Sequence, residues 1–359
     1  MTFAIAAAGT AGHVYPGLAV AEALVSQGVG PEEVLFIGGD RLEAEAVPAA
    51  GYSLLSVPLQ GLVRRITVRN LAIPQKVSKA IRYIRRALAE RGVTVLLATG
   101  GYVTAPAGWA ARSQGIPFFL SEQNAVAGLA NRMMERWATR SFASFPNTSG
   151  LKRAEWVGNP IRAGIADVDR AAMREQAHRH YRLVAGVPVL GVMGGSLGAA
   201  AINTGVRQML ADWDADPVQV VHLTGAAHFE EMSEQASASP YKWRVVGFEE
   251  RMDLFYSACD LVVARAGGGV AELTAVGLPS VLVPGEFGSA SHQDANASAL
   301  DDAGAAVKLN EADLTDLGPV VRELLSDPDR RESMAAAAMA MARPLAAQQI
   351  AAEMRCAGV

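Results

Sequence analysis

The segment "AAAGTAGHVYPG", Ala6 to Gly17, places a histidine, His13, in a glycine-rich elbow. The elbow joins an apolar strand-like run to an apolar helix-like one. A helix N-terminus presents free backbone N–H groups and a positive dipole end, which suit an anion and disfavour an imidazolium. A histidine there stays neutral near pH 7 and can take a proton from a hydroxyl. It can equally cap the helix or sit satisfied in the core. Three more glycine loops follow apolar runs: "TGGYVTAPAG" (99–108), "GGSLGA" (194–199) and "RAGGGVAEL" (265–273). One such loop is as readily a tight turn. Four at strand ends point to a phosphate-bearing ligand, which open α/β sheets hold at the carboxyl ends of strands. A dinucleotide fits poorly: Asp40 ends the second strand as a ribose-binding acid would, but the first loop reads G-x-x-G-H and not G-x-G-x-x-G.

The elements that must position these loops are legible as apolar runs alternating with helical patterns. The runs are Phe3–Ala8, Val34–Ile37, Leu54–Val57, Val93–Ala98, Pro117–Leu120 and Ser141–Phe145. They resume at Val189–Met193, Val218–Leu223, Arg244–Val246, Leu261–Ala264, Ser280–Val283 and Ala305–Leu309. Many are continuous rather than alternating, as parallel strands covered on both faces require. The pattern predicts an α/β protein of two Rossmann-like, doubly wound domains facing a cleft. The break falls near "VGNPIRAGIADVD" (157–169), so the expected domains are 1–160 and 161–340. A C-terminal helix, 341–359, is expected to pack back on the first domain. The alanine-rich tail reads as helical with a kink at Pro344.

Composition narrows the class. Of 359 residues half are hydrophobic and 19% are charged, with a net charge of −4, which argues against a general nucleic-acid binder. Two cysteines, one of them (Cys259) in an apolar run, fit a reducing compartment. No Lys or Arg precedes Arg41, so the N-terminus does not read as a signal peptide. The uncharged stretch Gly92–Ala111 is long enough to mimic a membrane span, but Gly100-Gly101 and Pro106 divide it into strand, loop and helix start. No cluster has metal-ligand spacing, and no cofactor is expected. From Leu59 to Arg91 nine Lys or Arg residues stand against one acid, Glu90, interleaved with Leu62, Val63, Ile66, Leu71, Ile73, Ile81 and Ile84. This is either a solvated face or one drawn to anionic lipid.

Seven segments together resemble the MurG family of glycosyltransferases of peptidoglycan synthesis: "GTAGHVYPGLAVAEAL", "GGYVTAPAG", "EQNAVAGLANR", "GNPIR", "GGSLGA", "AELTAVGLP" and "HQDANA". The resemblance spans nearly the whole chain. It implies two domains of GT-B type and an inverting transfer of GlcNAc from UDP-GlcNAc to the C4 hydroxyl of the muramyl sugar of lipid I. It also implies a peripheral place at the cytoplasmic face of the bacterial cell membrane. It makes His13 the base and sets Thr10, Ala11 and Gly12 facing sugar and acceptor. Tyr102 falls at the lipid diphosphate, and Asn124 and Arg162 at the donor. Ser196 falls at the donor diphosphate, with Gly267, Gly268 and Gly269 against the phosphates. Phe248 and Glu249 fall at the uracil, Glu272 at the ribose hydroxyls, and His292, Gln293 and Asn296 at GlcNAc, Gln293 above all. Several of these have a plainer alternative: Asn124 and Ser196 as helix caps, Arg162 as a solvated linker residue. Three departures stand out. Ala11 replaces a family glycine, Ser121 replaces a frequent histidine, and "RAGGGVAE" is one residue shorter than the family's run. Rival readings are another GT-B glycosyltransferase, a UDP-GlcNAc 2-epimerase, and a non-catalytic UDP-sugar binder.

Overall fold

The computed structural model describes residues 1–59, 73–195, 198–285 and 290–358, with the backbone alone at 73, 74, 290 and 291. The chain divides into two compact units, Met1–Ala163 with Arg343–Val359, and Gly164–Ala342.

The first unit runs β1 (Thr2–Ala7), α1 (Ala11–Ser26), β2 (Val34–Gly38), α2 (Leu42–Ala49), β3 (Ser53–Ser56), α3 (Ile73–Glu90), β4 (Val93–Gly100), α4 (Thr104–Arg112), β5 (Phe118–Glu122), α5 (Leu129–Met134), β6 (Arg140–Ala143) and β7 (Ala154–Trp156). Its parallel sheet has the order β3-β2-β1-β4-β5-β6-β7. β1 therefore lies between strands whose connections leave in opposite directions, the switch point where such sheets open for ligands. A register shift after Ala6 pairs Ala7 with Gly100, which sets the β1–α1 and β4–α4 elbows side by side. The continuous apolar runs are buried on both faces. On one face Phe3, Ile5 and Phe36 meet Val14, Val20 and Leu24 of α1; on the other Ala4, Ala6 and Leu96 meet Ile84, Leu88 and Ala107.

The second unit follows the short helix α6 (Ala163–Ala166), which spans the boundary. It comprises α7 (Arg170–Tyr181), β8 (Val189–Met193), α8 (Ala200–Ala211), β9 (Gln219–Leu223), α9 (Phe229–Ala238), β10 (Lys242–Val246), α10 (Met252–Ala258), β11 (Leu261–Ala264), α11 (Val270–Ala275), β12 (Ser280–Leu282), α12 (Ala290–Asp302), β13 (Ala306–Lys308), α13 (Leu317–Ser326) and α14 (Pro328–Met341). Its sheet is again parallel, in the order β10-β9-β8-β11-β12-β13.

The tail corrects one expectation. Pro344 does not kink a continuous helix. α14 ends at Met341, Ala342 is extended (φ −65°, ψ 143°), and a separate helix, α15 (Ala346–Ala357), begins after it. Proline lacks the N–H that would continue the ladder and biases the preceding backbone away from helix, so the chain can change direction here. α15 packs on α1 and β4, burying Ala347, Ile350, Ala351 and Met354 in the first unit's core. Among the described residues no helix is long and apolar enough to cross a membrane.

Candidate functional site

In the first unit the candidate residues gather around His13. Gly9 turns the chain out of β1 with φ +97°, a backbone region open to glycine. Thr10 is the extended residue before α1, and Ala11, Gly12 and His13 form its first turn. The His13 Nδ1–H donates to the Ala8 carbonyl at 3.1 Å, with the Thr10 hydroxyl 3.2 Å from the same nitrogen. A carbonyl only accepts, so the proton of the neutral ring sits on Nδ1 and Nε2 keeps its lone pair. Behind the ring lies Gly100 (φ +120°). A Cβ there would stand 2.5 Å from His13 Cδ2 and 2.8 Å from Nε2, so only glycine admits the imidazole. The Thr99 hydroxyl donates to the His13 carbonyl at 2.8 Å, pinning α1 to β4.

Tyr102 lies with its ring against Gly9. Its hydroxyl faces Gly39 and donates to Glu43 Oε1 at 3.4 Å. Burial first, then the nearby Glu43 carboxylate, pushes the phenol up to about 12, so it remains a donor. The "EQN" turn is built on Glu122, which is buried. Its Oε1 accepts the Asn124 N–H (3.0 Å) and side-chain amide (2.9 Å). Its Oε2 accepts the Gly128 N–H (2.9 Å) and the Asn131 amide (2.8 Å). Asn124 is thus held by both backbone and side chain. Gln123 is 4% exposed, and its Oε1 is buried without a hydrogen-bond partner beside Gly100. Arg162 lies in the same unit, its guanidinium 5.9 Å from the Tyr15 ring centroid.

In the second unit the loops again leave the carboxyl ends of the central strands. Gly194 admits Ala199 and Gly198 (φ +76°) admits the Thr224 carbonyl, approaches that a Cβ would block. Ser196, between them, lies outside the described residues. Gly267 to Gly269 close a tight turn into α11, with Val270 N–H donating to the Gly267 carbonyl and Leu273 N–H to that of Gly269. Glu272, on the first turn of α11, accepts the hydroxyl of the fully buried Tyr256 at 2.6 Å. Phe248 is 59% exposed, whereas the carboxylate of Glu249 is turned inward, accepting the Tyr181 hydroxyl (2.6 Å) and the Arg251 N–H (2.8 Å).

α12 brings His292, Gln293 and Asn296 together, with different roles. Gln293 Oε1 accepts the Gly285 N–H at 2.9 Å. Asn296 is buried and its amide donates to the Ala266 carbonyl at 3.0 Å, holding the glycine loop from behind. Among the described residues no group of three or more His, Cys, Asp or Glu residues is placed to hold a metal ion.

Sequence reasoning missed Tyr256 and Glu43. Tyr256 falls in an apolar helix, and only the contact with Glu272 distinguishes it. Glu43 stands beside charged neighbours in "DRLEAEAV", and its one signal is the helical phase it shares with the buried Val47.

Residues 3–143 match the glycosyltransferase family 28 N-terminal domain, and residues 189–350 the family 28 C-terminal domain. The chain is 42% identical over 351 residues to the UDP-N-acetylglucosamine--N-acetylmuramyl-(pentapeptide) pyrophosphoryl-undecaprenol N-acetylglucosamine transferase of Salinibacter ruber, covering 96% of this chain and 93% of that protein. It is 42% identical to the transferase of the same name from Acidithiobacillus ferrooxidans, covering 99% and 97%. Among solved structures it resembles Acinetobacter baumannii MurG, with a TM-score of 0.81 and 29% identity over 99% of this chain and 100% of that one. A UDP-GlcNAc 2-epimerase from Neisseria meningitidis shares the fold alone, with a TM-score of 0.67 and 12% identity over 99% of this chain and 100% of that one.

Proposed function

The chain belongs to glycosyltransferase family 28 and to its MurG members, with the GT-B fold, and from that premise we propose that it transfers GlcNAc from UDP-GlcNAc to lipid I, forming lipid II. The observation that carries the chemical reading is the His13 ring. Its Nδ1–H is committed to the Ala8 carbonyl, which leaves Nε2 as the basic nitrogen. In the reaction the C4 hydroxyl oxygen of the muramyl sugar attacks the anomeric carbon of GlcNAc from the face opposite UDP. Its proton passes to His13 Nε2. The bond from the anomeric carbon to the diphosphate oxygen breaks, and UDP leaves with the electron pair. The configuration inverts in one displacement.

The remaining assignments follow the chemistry of each group. Acceptor-side residues come from the first unit: Thr10, Ala11, Gly12 and Tyr102. Donor-side residues are Asn124, Arg162, Ser196, Phe248, Glu249, Gly267, Gly268, Gly269, Glu272, His292, Gln293 and Asn296. Glu272, a carboxylate on a short helix, suits two vicinal ribose hydroxyls. Glu249 contributes through its backbone, because its side chain is engaged by Tyr181 and Arg251. Asn296 acts by bracing the glycine loop through Ala266.

An anionic membrane surface at the cytoplasmic face is the proposed partner of α3. Lys76, Lys79, Arg82, Arg85 and Arg86 are exposed along it, while Ala80, Ile84 and Leu88 are buried beneath. Arg64, Arg65, Arg69, Leu62, Val63, Ile66 and Leu71, in the same basic stretch, lie outside the described residues. No nucleic acid is involved in this reading.

The deciding experiment follows labelled GlcNAc from UDP-GlcNAc to a short-chain lipid I analogue, with UDP release measured in parallel. Transfer matched to UDP release is the expected result. Release of an epimerised free sugar, or donor binding without turnover, refutes it. His13→Ala and Glu272→Ala should each abolish most of the transfer; full rates in both would remove the assigned roles. Neutralising Arg82, Arg85 and Arg86 should weaken binding to vesicles containing anionic lipid while leaving UDP-GlcNAc binding intact. Unchanged vesicle binding would reject the membrane partner.

A further inference from the structure

We propose that Glu43 is a positioning residue for His13, acting through the peptide group that joins Ala8 to Gly9. The proposal rests on the reading of His13 as the base. Glu43 lies on the first turn of α2 and is fully buried. A carboxylate in that position is tolerated only when donors converge on it. Here the Gly39 N–H donates to Oε1 at 2.8 Å, the Tyr102 hydroxyl to the same oxygen at 3.4 Å, and the Gly9 N–H to Oε2 at 3.1 Å.

The Gly9 N–H and the Ala8 C=O are the two ends of one planar peptide unit. Glu43 holds the N–H end, and the His13 Nδ1–H holds the C=O end. The arrangement is a chain of carboxylate, peptide and imidazole. A negative charge at the N–H end polarises the peptide and makes the Ala8 oxygen a stronger acceptor. That oxygen then fixes the ring tautomer, aims Nε2 and stabilises the imidazolium formed as the ring takes a proton. A carboxylate bonded directly to a catalytic histidine does the same work. Here a peptide stands between them, and the positive φ of Gly9 lets that peptide face both ways. Three titratable or charged groups share the cluster: Tyr102, from the β4–α4 elbow, and Asp40 and Arg41, from the β2–α2 turn. Against the far side of the ring stand Gly100, with Gln123 beyond it, neither titratable.

The test compares the native chain with Glu43→Gln, which keeps the side chain's size, removes its charge and replaces one of its two acceptor oxygens with a donor. The expected result is a fall in kcat of roughly tenfold, a fraction of what a general base supplies, with the KM for UDP-GlcNAc within about twofold of native. The imidazolium loses stabilisation, so the acid limb of the pH–kcat profile should move to lower pH by about half a unit or more. A purely structural brace would lower activity without moving that limb.

Nitrogen-15 NMR of the histidine-labelled native chain, with the His13 signals assigned by their loss in His13→Gln, reads the ring directly and does not depend on the variant folding. A proton on Nδ1 supports the proposal; a proton on Nε2 overturns it. Transfer retained by His13→Gln would sink the base reading alone, because the ring's titration reports the link to Glu43 without turnover. An unmoved His13 titration in folded Glu43→Gln overturns the link whatever the turnover shows.

Discussion

Tyr256→Phe removes the hydroxyl that donates to Glu272, a residue of the proposed donor site. The Tyr256 side chain is fully buried, and its hydroxyl donates to Glu272 Oε2 at 2.6 Å, a short charge-assisted contact. Hydrogen bonds to charged groups contribute about 1.5–3 kcal/mol, but Glu272 is partly exposed and water replaces part of the loss, so the expected effect on stability is about 1 kcal/mol. In the proposed donor role of Glu272 the effect on UDP is larger, because a carboxylate that accepts two ribose hydroxyls must hold one orientation and the phenol sets it. A loss of about 1.4 kcal/mol corresponds to tenfold weaker UDP binding. Calorimetric titration of UDP into the native chain, Tyr256→Phe, Glu272→Ala and the double variant closes a thermodynamic cycle. Tyr256→Phe should weaken UDP about tenfold in the native background and less than about twofold in the Glu272→Ala background, because residues in contact share their effect. Native affinity in Tyr256→Phe, or equal losses in both backgrounds, would show that Tyr256 does not act through Glu272.

With His13 as the proposed base, Gly100→Ala should reduce transfer at least 100-fold, the lower end of a general base's contribution, because the new Cβ would stand 2.5 Å from the His13 ring. The same clash and the positive φ should lower stability by about 1–3 kcal/mol in urea titration; a native kcat would refute the placement of His13. Glu122→Ala leaves the Asn124, Gly128 and Asn131 donors without their acceptor and should destabilise by about 3 kcal/mol; an unchanged urea midpoint would show that water takes over the carboxylate's role. His222, buried against Asn203 with its pKa pushed down by burial from 6.5 to about 3, withholds a proton that the unfolded chain accepts. Stability should therefore fall as pH drops below about 6.5, by up to about 1.4 kcal/mol per unit, and flatten near 3. His222→Gln should flatten the plot of melting temperature against pH, and an identical slope would refute the assignment.

The strands around the two switch points were readable because they are continuous apolar runs, and a strand covered on both faces leaves no other pattern. β7 was not readable. Ala154–Trp156 is three residues long, carries Glu155 in its middle and lies at the sheet edge, where only pairing with β6 marks it as a strand. The glycine loops were legible as loops, since the chemistry of a tight approach is written in the residue type. What each polar neighbour does was not. Gln293 and Asn296 look alike in "SHQDANA", yet one accepts from the Gly285 backbone and the other lies buried against Ala266. Glu43 and Glu45 look alike in "LEAE", yet one is fully buried and the other exposed. The difference comes from partners distant in sequence: Glu43 is claimed by Gly9 and Tyr102, at the ends of two other strands. Local periodicity carries no information about such contacts.

These hidden contacts share a physical cause. A loop that must let a phosphate or an imidazole approach its backbone is built from glycine, and glycine gives the loop many conformations to lose. The rigidity needed for positioning cannot come from the loop's own side chains, so it comes from polar groups behind it. Glu43 takes the N–H groups of Gly9 and Gly39, Glu122 takes those of Asn124 and Gly128, Asn203 donates to the Thr224 carbonyl beside Gly198, and Asn296 donates to the Ala266 carbonyl before Gly267. The two carboxylates serve turns whose N–H groups need acceptors, and the two amides serve loops whose carbonyls need donors. Each brace therefore matches the backbone group it meets. The match predicts an asymmetry: Glu→Gln at 43 or 122 should loosen its turn, because the new amide sets an N–H donor against backbone N–H donors. Asn→Asp at 203 or 296 should loosen its loop for the opposite reason, setting a carboxylate against a carbonyl. Hydrogen exchange at Gly9, Gly128, Gly198 and Gly267 reads this directly, and faster exchange confined to the loop served by the altered brace is the expected pattern. Equal protection in all four variants would show that the glycine loops hold their shape without these braces.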